Sequence, residues 1–134
     1  MRKVSTVFLL ALALAAPVRA ADSIPADLRE AIRMRMDALA KVDIATWDRL
    51  TTDDFTTVLG DARLQTKAER MAQLKGEKPE PPAKQMQQRF ARYGDVVVDR
   101  LQLEGGMWVI TVWVKDAHGW RAAAAQVTVP PEKK

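Results

Sequence analysis

Two neighbouring carboxylates, one imidazole and one arginine on an apolar helix face are the side chains in this chain best placed to do chemistry. Asp53 and Asp54 are the paired acids that general acid–base work could use. Lying where a helical pattern gives way to a β-favouring run, they also read as solvated turn residues. His118 is the single histidine, and its neighbour Gly119 marks a hairpin turn, which predicts an exposed imidazole. Tyr93 precedes a Gly-Asp turn and is weak for the same reason. Arg35 is different. At about 100° per residue and with Leu28 at zero, Ile32, Leu39 and Met36 fall at about 40°, 20° and 80°, and Arg35 falls at about −20°. It lies inside the apolar stripe, whereas Arg29 and Arg33 turn toward the polar side. A guanidinium facing a core must snorkel out, meet a carboxylate such as Asp54, or face a wet cavity. In the last case its paired donors suit an anionic ligand.

Absences narrow the chemistry further. With no cysteine, thiol nucleophiles, thiolate metal sites and disulfides are excluded, and one histidine excludes zinc sites built on two or three imidazoles. The only serine beyond residue 20 is Ser23, which is poorly placed for a buried triad, and no phosphate-cradling glycine loop occurs. No cofactor and no metal are implied.

The elements that must position these residues follow from periodicity and turn chemistry. Residues 25–41 carry Leu28, Ile32, Met36 and Leu39 at helical steps behind Pro25. Asp43 caps a short second helix with Ile44, Trp47 and Leu50 on its inner face. Thr51 to Asp54 ends that helix, and Phe55 to Leu59 reads as a strand. Thr66 and Glu69 form a capping box for a third helix carrying Met71 and Leu74. The proline-rich segment 76–84 is an exposed connector. Four strand patterns follow over 85–92, 96–103, 107–115 and 120–129, separated by short glycine turns that force antiparallel neighbours. Helices first and a meander second make an α+β domain, its helices on one face of a curved antiparallel sheet. By strand alternation Trp113 shares a face with Thr111, while Trp47, Trp108 and Trp120 read as core. Ala122 to Ala125 leave both sheet faces bare, which widens a pocket or admits a close-packed surface. Valines 96–98 and the run Ile110 to Val114 are apolar on both faces, which predicts a homodimer.

Residues 1–20 have the three parts of a secretory signal: basic Arg2 and Lys3, an apolar run from Val4 to Val18, and a small residue at Ala20. Cleavage there leaves one domain over 21–130 and a short tail, 131–134, with no membrane anchor. Arg2, Lys3 and Arg19 leave with the signal, so 21 basic residues less three face 17 acidic ones. A nearly neutral chain has no field for nucleic acid or membrane. The expected location is secreted or periplasmic.

The order of elements and the wording of two regions resemble the nuclear-transport-factor-2-like superfamily, in its ketosteroid-isomerase-like, SnoaL-like and exported bacterial branches. The carriers are Lys41 to Trp47 with Leu50 and Asp53-Asp54-Phe55, then Val112 to Lys115, Gly119-Trp120-Arg121 and Gln126-Val127-Thr128. The resemblance implies a cone-shaped sheet curled around the helices over an internal pocket, and dimerisation across the outer sheet face. Placed on the isomerase pattern, the tyrosine becomes Arg35, the carboxylate base Leu59 and the second acid Thr111, so the catalytic set is lost. Where related members carry a histidine in the last strand, this chain has Gln126, a neutral amide that cannot act as a base. The resulting expectation is an exported domain binding a small, anionic organic ligand through Arg35, Thr111, Trp113, Gln126 and Thr128. Two alternatives remain: a cofactor-free isomerase, dehydratase or hydrolase using Asp54 or a bound water with Arg35 as stabiliser, and an assembly subunit working through its sheet face. A polar cavity favours the first, an inward carboxylate the second and a filled core the third.

Overall fold

The computed structural model describes residues 24–134; the expected signal and its cleavage point at Ala20 lie outside the described residues. Helix α1 (Ala26–Lys41) buries Leu28, Ala31, Ile32, Arg35 and Ala38, the stripe that the spacing predicts, with the arginine inside it. It stops at Val42, whose backbone turns left-handed (φ 57°) and whose N–H reaches Leu39 O, and Asp43 N–H reaches Ala38 O. A β-branched residue in that conformation is strained, and the reversal drops the chain directly into α2 (Ile44–Arg49), capped by Asp43 on Thr46 N.

Strand β1 (Thr51–Val58) begins at once, so Thr51 to Asp54 are extended and do not close the helix as the sequence suggests. After a hairpin with β2 (Leu64–Thr66), α3 (Lys67–Leu74) opens on the expected capping box of Thr66 and Glu69. Residues 76–84 run exposed, tied to α1 by a backbone bond from Glu80 N to Ala40 O. Strands β3 (Gln85–Tyr93), β4 (Val96–Leu103), β5 (Trp108–Asp116) and β6 (Gly119–Thr128) form the antiparallel meander.

The sheet order is β2-β1-β6-β5-β4-β3, and β1 runs parallel to β6. The sheet is therefore mixed, a correction to the wholly antiparallel expectation. The two strands are joined by no hairpin: β2, α3 and three strands of the meander lie between them, and so long a connection permits parallel pairing. One core sits between the helices and the concave face, built on Leu28, Trp47, Phe55, Leu74, Val97, Trp113, Trp120 and Ala122.

Candidate functional site

Register decides which side chains meet over the concave face. Cross-strand partners share a face, so Phe90, Asp99, Thr111, Ala125 and Thr57 form one inward row, and Val97, Trp113 and Ala122 the next. Thr57, Asp99 and Thr111 are all buried there.

Strand β6 does not alternate through its alanines. Trp113 pairs with Ala122 but Thr111 pairs with Ala125, so two residues of β5 oppose three of β6 and a bulge shifts the phase. Beyond it, Gln126 faces Ile110 and Thr128 faces Trp108, on the outer side, and both are exposed. The expectation that Gln126 and Thr128 share a cavity with Thr111 and Trp113 is therefore overturned. Simple alternation cannot see the extra residue, because four identical alanines hide it.

Arg35 is 8% exposed and its Nε donates to Thr51 Oγ1 at 3.1 Å, while that hydroxyl donates to Trp47 O at 2.6 Å. Three aromatic rings surround its guanidinium carbon: Trp47 at 4.8 Å, Phe55 at 5.1 Å and Trp113 at 6.0 Å from the ring centroids. Among the described residues no carboxylate pairs with it. Burial, helped by the positive field of Arg70, lowers its pKa to about 9, so it stays charged at neutral pH. The buried indole Nε1 of Trp113 also lacks an acceptor among the described residues. A buried cation and an indole donor thus lie together without an anion.

Asp53 and Asp54 do not reach this place. Both sit where β1 leaves the register of β6, between Thr51 and Thr56, and both are exposed. Asp53 pairs with Lys67 at 3.4 Å, and Asp54 accepts from Thr52 Oγ1 at 2.7 Å. Leu59 ends up half-buried just past β1, and His118 is exposed in the β5–β6 turn. Trp108 is half-buried on the outer face, whereas Trp47, Trp113 and Trp120 are in the core.

The inward carboxylate is Asp99, which the sequence reasoning missed. It is 5% exposed, stands directly opposite Thr111, and accepts a 2.9 Å bond from Gln88 Nε2. Burial pushes its carboxyl up to about 6 against the opposing effect of that bond. Its signal was legible: Val97, Asp99 and Leu101 alternate, and two apolar neighbours of the same parity put an acid on the buried side.

Among the described residues, cavities open beside the helices, two of them notable. The larger, about 710 Å³, lies between the C-terminal half of α1, the connector and Leu103, with Met36, Leu39 and Glu77 in its wall. The smaller, about 300 Å³, lies between α1 and β3 over Gln88 and Phe90. None of the five side chains expected to bind ligand lines either of them.

No family model matches the sequence, and no curated protein is similar enough to match. Solved structures do match. A nuclear-transport-factor-2-like protein from Cytophaga hutchinsonii aligns at TM-score 0.67 and 16% identity over 77% of this chain and 95% of its own. A protein of unknown function from Pectobacterium atrosepticum aligns at TM-score 0.66 and 23% identity, over 79% and 90%. The CaMKII hub of S. rosetta aligns at TM-score 0.64 and 16% identity, over 78% and 98%. At these identities the likeness is one of fold: the chain has the nuclear-transport-factor-2-like fold, as the resemblance implied.

Proposed function

We propose that this nuclear-transport-factor-2-like domain is an exported protein that binds a small organic anion, with Arg35 as its charged anchor and Trp113 and Thr111 beside it. Arg35 carries the reading: its guanidinium is buried, ringed by aromatics and unmatched by any described carboxylate. Burying such a charge without a partner costs several kcal/mol, and an anionic ligand would supply the partner. Native mass spectrometry of the protein from its own host should show a retained small acid that Arg35→Met no longer retains. An identical ligand mass on both proteins, or none on either, counts against the reading. Export rests on the leader pattern; the mature protein is expected to begin at Ala21 by N-terminal sequencing, and a product retaining Met1 refutes it.

A second reading, a cofactor-free enzyme, gains support from Asp99. It replaces Asp54 in the role of the carboxylate, because Asp99 faces the concave side and its raised pKa suits proton transfer near neutral pH.

A further inference from the structure

Gln85, Gln88 and Phe90 all line the smaller cavity, and a bulge in β3 is what brings them together. Three residues apart on a regular strand, Gln85 and Gln88 would point to opposite sides. Gln85 stands opposite Leu103 and Gln87 opposite Gln102, so two steps of β3 meet one of β4, and Met86 is the extra residue, 55% exposed. Gln85, Gln88 and Phe90 then face Leu103, Leu101 and Asp99, alternate residues of one strand. Both amides have committed their nitrogen: Gln88 Nε2 donates to Asp99 Oδ1 at 2.9 Å, and Gln85 Nε2 to Met36 Sδ at 3.1 Å. The bond to Asp99 can run only one way, because an ionised carboxylate accepts and never donates. Asp99 thus fixes the nitrogen of Gln88 and leaves the carbonyl oxygen for the cavity that the same amide lines. Among the described residues nothing donates to Oε1 of either glutamine.

We propose that the cavity between α1 and β3 binds a small aromatic primary carboxamide, whose –NH2 donates to the carbonyl oxygens of Gln88 and Gln85 while its ring lies against Phe90 and Ile32. Asp99 is a positioning residue for this site, since it acts only through Gln88. The wall decides against an ion: Arg29 and Arg33 on it are matched by Asp37 on it and Asp99 behind it, and Arg33 already holds Asp37 at 2.8 Å. An uncharged group rich in donors is what two carbonyl acceptors in such a balanced field select. Phe90, Ile32, Met36 and Pro82 supply the apolar surface for a ring, and 300 Å³ suits a molecule of that size. Arg35 lines no part of this cavity, so the inference stands apart from the anion anchor.

Benzamide is the probe, and acetophenone, which has the same outline with a methyl in place of the –NH2, is its control. Both are titrated by NMR at pH 8, where the Asp99 carboxyl, titrating at about 6, is ionised. Wild-type protein should bind benzamide roughly tenfold more tightly than acetophenone, the worth of one or two hydrogen bonds. The side-chain –NH2 resonances of Gln85 and Gln88 should shift, and the ring protons of benzamide should show through-space transfer to Phe90 and Ile32. These wild-type readouts do not depend on whether any variant folds. Gln88→Leu should bind the two compounds equally. Asp99→Asn can donate as well as accept, which frees Gln88 to turn over, so the preference should fall to about twofold. A tenfold preference retained in Asp99→Asn overturns the positioning role, and one retained in Gln88→Leu overturns the site. Benzamide that binds without contact to Phe90 and Ile32, binds no better than acetophenone, or fails to bind at its solubility limit also overturns the proposal.

Discussion

Arg35 and Asp99 are opposite solutions to the same difficulty, a charge out of water. The arginine keeps its charge and surrounds it with three ring faces; the aspartate gives up part of its acidity. Their consequences can be measured separately. Because Arg35 has no described acid to leave behind, Arg35→Met should fold with a melting temperature at or above the wild type's, unlike the loss expected when a paired buried arginine is removed. A fall of several degrees would show that the guanidinium is a net structural asset. For Asp99 the folded carboxyl titrates at about 6 against an ordinary 3.8, so folding favours its protonated form. The stabilising effect of protonation is complete below about pH 4 and is lost as pH rises through about 6. Asp99→Asn, which keeps the shape, should flatten that part of the stability curve and add up to roughly 3 kcal/mol at pH 7. Equal pH slopes for the two proteins in urea unfolding would refute the shift. Helical periodicity made Arg35 legible in the sequence. Asp99 is equally legible by alternation, whereas the isomerase pattern places its second acid on the residue facing it from the next strand, Thr111.

Helix ends and turns were the most readable features, because their chemistry is local. Asp43 and Thr66 cap where their side chains allow it, and the box at Thr66 and Glu69 closes in both directions. Thr66→Ala should cost about 1 kcal/mol, seen as a lower urea midpoint at unchanged slope. The cost should be felt through α3, which holds Lys67 against Thr51 of β1. What the sequence concealed was register. Thr51 to Asp54 look like a helix terminator by composition, yet they are the first half of a strand that slips against β6. The bulge among Ala122 to Ala125 turns Gln126 and Thr128 outward although their parity relative to Trp120 says inward. Strand phase depends on the partner strand, and no local side chain reports it.

For the molecule as a whole, no helix among the described residues lies over the convex face of the sheet. Val96, Val98, Ile110, Val112 and Val114 share that side with Trp108, and all are half-buried within the single chain. A sheet face of that composition usually meets another surface. Homo-oligomerisation is the expectation: light scattering at micromolar concentration should give a multiple of the subunit mass, and Val112→Glu should give the monomer. A monomeric wild type refutes it. The strand order carries a further consequence, in the timing of folding. Strand β6, the last described strand, lies between β1 and β5, so it alone joins β1 to the rest of the meander within the sheet. Until residues 119–128 are available the two halves have no common sheet, and the pairing that completes it spans most of the chain, which makes closure slow. The sheet of a chain leaving the ribosome therefore stays open until its last described strand is released.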